Sequence, residues 1–171
     1  MLGLAMITLT SFLFPQIAQS AKPHYEVRAS ALANSLMTEI LARNFDERSD
    51  HNGGLLRCGE QGTASCTAQN QFGPDNSEPP VMFNDVDDYI GCWYTTQSQG
   101  DCSGAQAGEL NDIFGEKMQD DYRGFRAEIS VEYDRDPRFG DPTKDLFKKI
   151  TVVITASQYG DFKFVAHKGN Y

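Results

Sequence analysis

The first 21 residues carry no charged side chain; Lys22 is the first, and all 24 acidic residues follow it. The net charge of −9 therefore lies wholly in the body of the chain. Such a division implies two solvents: lipid or a protein core for the neutral head, water for the acidic body. The head, MLGLAMITLTSFLFPQIAQSA, is most apolar over residues 2–14. That run is shorter than the roughly 20 residues a spanning helix needs. Two readings stand side by side. One is a secretory signal peptide, with the small residues Ala18, Ser20 and Ala21 near a cleavage point but no positive n-region. The other is the remaining part of a longer membrane helix.

Beyond the head, apolar residues fall at Tyr25, Ala29, Leu32, Ala33, Leu36, Met37, Ile40 and Leu41. Steps of three and four make one stripe on an α-helix. Glu26, Arg28, Ser30, Asn34, Ser35, Thr38, Glu39 and Arg43 take the other face. No flexible linker separates head from stripe, only Pro15 and Pro23, each expected to kink or locally break a helix. One helix from Leu2 to about Arg43 is expected, roughly 60 Å long at 1.5 Å per residue. The chain divides accordingly into an apolar part, 1–22, and a globular part, 23–171.

Residues 50–105 are rich in Gly, Ser, Asn, Gln, Asp and Pro, and show neither helical nor strand periodicity. A loop region of this size needs tethering or a functional reason. Four cysteines supply a tether. Of three possible connectivities, Cys58–Cys66 and Cys92–Cys102 close the shortest loops at the least entropic cost. Each such bond contributes on the order of 2–3 kcal/mol, and disulfides imply an oxidising compartment. A zinc site is the weaker use, because no CxxC pair occurs. The run Phe83-Asn84-Asp85-Val86-Asp87-Asp88-Tyr89 crowds hard oxygen ligands, and Asp85, Asp87 and Asp88 are weak candidates for calcium. The EF-hand pattern is absent, and solvated, turn-forming acids are the simpler reading. The same holds for Asp50-His51-Asn52-Gly53 and for the scattered Asp134, Asp136, Asp141 and Asp145.

The period changes to two near the C-terminus. Phe125, Ala127, Ile129, Val131 and Tyr133 alternate with polar residues; Ile150, Val152 and Ile154 share one face; Phe162, Phe164 and Ala166 share another. Three antiparallel strands with one apolar face need a cover, and the stripe at 25–41 supplies it. Residues 109–118 read as a short additional helix, and 158–161 as a tight turn. Trp93 and Tyr94 read as packing on the disulfide and covering the sheet edge. The fold expected is α+β: a long N-terminal helix on an antiparallel sheet of three or more strands, with a disulfide-stapled loop region.

No catalytic signature appears. His24, His51 and His167 lack motif neighbours, and there is no G-x-S-x-G, P-loop, H-E-x-x-H or G-x-G-x-x-G. The pairs Asp87-Asp88 and Asp120-Asp121 read as surface charge rather than acid–base machinery. The acidic pI of about 4.7 argues against a general nucleic-acid binder, and the mean hydropathy of −0.47 against a polytopic membrane protein.

The layout resembles the type IV pilins and pseudopilins, and among them the minor pilins of the mannose-sensitive haemagglutinin (MSHA) pilus system. The residues that carry the resemblance are Leu2-Gly3-Leu4-Ala5-Met6-Ile7-Thr8-Leu9 running into Phe14-Pro15, then Val27-Arg28-Ala29, Ala31-Leu32-Ala33 and Glu39-Ile40-Leu41. Further on are Phe45-Asp46-Glu47, Asn52-Gly53-Gly54, Arg57-Cys58-Gly59, the run from Phe83 to Tyr89, Tyr133-Asp134 and the strand at 150–156. Order and spacing, over nearly the whole chain, matter more than any one motif. The resemblance implies a pilin-like fold and a non-enzymatic subunit, without cofactor, for pilus assembly, the pilus tip or adhesion. Its partners are then other pilin subunits, the inner-membrane assembly machinery and the membrane itself, with no nucleic acid. Its place is the bacterial inner membrane with a periplasmic domain, then the pilus. Leu2, Leu4, Met6, Ile7, Leu9, Phe12, Leu13, Phe14 and Pro15 become the membrane and assembly part of the helix. The family also has a short leader, a Gly followed by Phe or Met at the processing site, and a Glu shortly after. None of these precedes Leu2, so the chain reads as starting partway down the pilin helix. The alternatives are a secreted periplasmic binding module with a cleaved signal peptide, with or without calcium dependence, a type II secretion pseudopilin and, last, an enzyme with an acidic site near residues 85–88.

Overall fold

The computed structural model describes residues 2–49, 57–104, 106–112, 115–139 and 144–170, with side chains in the first helix from Ser20 onward. Helix α1 is one element, Leu2–Ala42, with Pro15 and Pro23 inside it. It crosses the boundary between the apolar and globular parts without interruption. The stripe forms as the spacing requires: Ala29, Leu32, Ala33, Leu36, Met37 and Ile40 are buried, while Asn34, Ser35 and Thr38 are exposed. Tyr25 stacks on Tyr159 at 3.8 Å between ring centroids and on Phe125 at 5.9 Å. At the other end, Lys168 Nζ donates to the Leu41 carbonyl at 2.9 Å. A cation there satisfies an orphan carbonyl and complements the helix dipole. Burial holds the Lys168 ammonium below its usual pKa.

Five strands form one sheet in the order β2-β1-β3-β4-β5: β1 Gly91–Tyr94, β2 Ala107–Glu109, β3 Phe125–Tyr133, β4 Phe147–Ala156 and β5 Asp161–Gly169. The pairs β1–β3, β3–β4 and β4–β5 are antiparallel. Ile129, Val152 and Phe164 lie side by side in register. Alternate burial along β3 and β4 follows the two-residue period, and α1 covers the apolar face. Phe125, Ile150, Val152 and Ile154 are wholly buried against Leu32 and Ile40. Burying each such side chain favours the fold by about 1.5–3 kcal/mol.

Three expectations are corrected. The sheet is mixed, not purely antiparallel, because β2 runs parallel to β1. Parallel neighbours need a crossover of about a dozen residues, and residues 95–106 provide one, tied back to β1 by the Cys92–Cys102 disulfide. Trp93 and Tyr94 therefore belong to a strand rather than covering an edge. The third correction is at 109–118, where the described residues form a turn. Leu110 accepts from the Met118 N–H, and the Asp112 side chain accepts from the Glu116 N–H at 2.8 Å. Gly115 supplies the left-handed backbone (φ 81°) that ends any helical run. The turn before β5 is a 3-10 turn at Ser157–Tyr159 followed by Gly160.

Candidate functional site

Three features bear on function: the head of α1, a groove beside its C-terminal half, and a charged centre inside the domain. In the head, the backbone of Leu2, Leu4, Met6, Ile7, Leu9, Phe12, Leu13, Phe14 and Pro15 is helical. Their side chains lie outside those described. Among the described residues, no helix is long and apolar enough to cross a membrane. At 1.5 Å per residue, the backbone before Ser20 is about 27 Å of helix.

The groove is a cavity of about 260 Å³ between α1, the 79–83 segment and the β1–β2 edge. Leu36, Pro80, Phe83 and Trp93 line it, and Val81 stands 85% exposed in the same segment. Its ordered polar group is the Tyr89 hydroxyl, which donates to Glu39 Oε1 at 3.0 Å and accepts from Arg43 Nε at 2.8 Å. Burial raises the Tyr89 phenol well above its usual pKa, so it stays protonated. Gly108 belongs to this architecture: a Cβ there would meet the Trp93 ring at 2.6 Å. The groove brings together no nucleophile and base from the described residues. His24 sits edge-on to Tyr25, and His167 bonds Asp134 at 2.8 Å; His51 lies outside the described residues.

The charged centre is assembled where α1 ends. Asn44 bridges to Asp85 as an isolated parallel β-pair, its N–H bonded to the Asn84 carbonyl and its carbonyl to the Val86 N–H. That pairing sets Phe45 and Asp46 beside the acidic run. Lys148, on the inward face of β4, completes the group and is wholly buried. Its Nζ donates to the Phe45 carbonyl at 2.6 Å, to Asp46 Oδ2 at 3.2 Å and to Asp87 Oδ1. The rings of Phe45, Phe72 and Tyr133 surround it with centroids at 4.8, 4.6 and 5.7 Å. Asp46 also accepts from the Thr67 N–H and hydroxyl. Asp88 Oδ2 accepts from the backbone N–H groups of Asn84 and Asp85, and Asp85 Oδ1 from that of Asp87.

The acids at 85, 87 and 88 are thus buried, not solvated as their turn-like sequence suggests. Burial, then the neighbouring Asp87 and Asp88 charges, push the Asp85 carboxyl up to about 8, although Lys148 opposes this. Burial pushes Asp88 up to about 6 against its two backbone hydrogen bonds. As calcium candidates, these acids offer oxygens that already accept N–H bonds, and Asp87 is in contact with Lys148 Nζ. Asp46 also converges with Cys58 and Cys66 within 4.8 Å, but those sulfurs are bonded to each other and present no thiolate. The scattered acids are tied locally: Asp134 to His167, Asp136 to Arg138 and Asp145 to Arg135. Asp50–Gly53 and Asp141 lie outside the described residues.

Both disulfides pair locally, Cys58–Cys66 and Cys92–Cys102. Lys148 and Phe72 have no signal of their own in the sequence, and Phe45, Asp46 and Tyr133 enter there only through the family resemblance. The available signal was the β4 alternation, which carries the inward face of Ile150 back to position 148. No protein-family model, curated protein or solved structure matches the chain.

Proposed function

We propose that this chain is a type IV pilin-like subunit: a non-enzymatic protein that bundles with sister subunits through its N-terminal helix. More narrowly, it is a minor pilin of the MshD kind, acting in MSHA pilus assembly or at the pilus tip. The observation that supports this reading best is the single helix Leu2–Ala42. Its C-terminal half is packed on a sheet, and its first part carries no charged side chain. An uncharged helical head ahead of the packed stripe is suited to burial among other helices. Each Å² of apolar surface so buried contributes about 25 cal/mol. Before assembly the head associates with the inner membrane; afterwards it lies in the filament core. The two disulfides suit the periplasm on the way, and the acidic body stays in water and presents its loops to neighbours.

The experiment is deletion of the gene in its host, with surface filaments counted by electron microscopy and the chain sought in sheared filaments by immunoblotting. Loss of filaments on deletion, with the chain in the sheared fraction of wild-type cells, is expected. Undiminished filaments, with all of the chain in the soluble periplasmic fraction, would favour the secreted binding module instead.

A further inference from the structure

The charged centre holds a buried amine against a buried carboxyl, and the proposed pilin role gives that pair no part. Lys148 comes from β4 and Asp87 from the turn before β1, 61 residues apart in sequence. We propose that Lys148 Nζ and Asp87 Cγ are a site of intramolecular isopeptide formation, a covalent cross-link between β4 and the segment that leads into β1.

Four observations meet there. Lys148 is wholly buried and Asp87 nearly so, which excludes the bulk water that would hydrolyse or dilute the encounter. Lys148 Nζ touches Asp87 Oδ1 directly, which places Cγ one bond beyond the contact and makes the encounter intramolecular. Three aromatic rings fix the Lys148 stem and wall off its amine. Two further carboxyls flank the pair on opposite partners: Asp46 touches Nζ at 3.2 Å, and Asp85 Oδ1 accepts from the Asp87 N–H at 2.9 Å. The high Asp85 pKa, about 8, keeps a proton on that side at neutral pH.

The step needs no outside reagent. It starts from the amine and carboxylic acid forms of the pair, which hold the same protons as the ion pair. The Nζ lone pair attacks Asp87 Cγ and a C–N bond forms. One N–H proton passes to Asp46. The Cγ–OH bond breaks as Asp85 protonates the leaving hydroxyl, and water departs. A proton returning from Asp46 to Asp85 restores both carboxyls. The product is a neutral secondary amide, which also removes two charges from the interior. This inference does not depend on the pilin reading; a cross-link between these elements would stiffen the domain in any role.

Mass spectrometry of the full chain, reduced and denatured, tests it. The expected mass is lower than that of the sequence by one water, about 18 Da. Trypsin is expected not to cut after Lys148, leaving residues 145–149 joined to the peptide spanning 58–117. Lys148→Arg and Asp85→Asn are both expected at full mass without the joined peptide. A wild-type chain at full mass that is cut after Lys148 would overturn the proposal and leave an ion pair only. Loss of water without the joined peptide would overturn it equally, since dehydration within a single Asp gives the same mass. A joined peptide in Asp85→Asn would overturn the assignment of Asp85 as the acid.

Discussion

The domain has two interiors. Between α1 and the sheet it is apolar: Leu32, Ile40, Ile150, Val152 and Ile154 meet with no polar group among them. Some residues further on, below the end of α1, it is polar: Lys148 is in contact with Asp46 and Asp87 and lies among three aromatic rings. The apolar interior tolerates imperfect partners, because burial there is non-directional. The polar interior does not, since each member left without its partner is a desolvated polar group or charge. Although Lys148 and Leu32 are equally buried, losing them has different physical consequences.

The largest effect is expected from Lys148→Met. It leaves the Asp46 and Asp87 carboxyls buried without the partner they are built around, at a cost of about 3–5 kcal/mol, measurable by urea denaturation at neutral pH. A cost under about 1 kcal/mol would place this centre with surface ion pairs instead. Of comparable size is a pH effect from the same region. Asp85 and Asp88 both have pKa values raised by folding. The folded state therefore binds more protons than the unfolded state. Their contribution is full below about pH 4, near the unfolded carboxyl pKa, and is lost as pH rises through about 6 for Asp88 and about 8 for Asp85. Melting temperatures are expected to fall between pH 5 and pH 8, and the fall to shrink in Asp85→Asn, which keeps an acceptor for the Asp87 N–H. A rise over that interval would contradict the burial argument.

In the apolar interior, Leu32→Ala is expected to cost about 3 kcal/mol, the usual consequence of a cavity beneath a packed helix. The same variant is expected to leave the pH dependence unchanged, which separates the two interiors. The smallest effect belongs to Lys117→Ala. It removes an exposed pair with Glu109 at 2.8 Å, worth under about 1 kcal/mol and further weakened by salt. The contrast between Lys117 and Lys148 tests whether burial, rather than charge pairing as such, sets the cost.

Legibility in the sequence follows the same division. The helix stripe and strands β3, β4 and β5 were readable because apolar contacts repeat at the period of their element. The local disulfides were readable from loop closure. Strand β2 was not: Ala-Gly-Glu holds no β-branched or aromatic residue, and its pairing depends on a distant crossover. The turn at 109–118 reads as a helix in sequence because its apolar residues mimic helical spacing across Gly115. The charged centre was invisible for another reason. Its members come from the end of α1, the segment at 72, the acidic turn, β3 and β4, and no local pattern joins them. The acidic run is conspicuous in the sequence, but Asp and Asn look alike in solvated turns and in buried networks. Only the inward position of Lys148 distinguishes the two.

In the working protein the uncharged head is expected to stay joined to the packed half of α1. Top-down mass spectrometry of the chain recovered from membranes and sheared filaments tests it most directly. Fragment ions containing residues 2–14 in the mature species are the expected result. A mature chain that begins at Ala21 or Lys22 would contradict it.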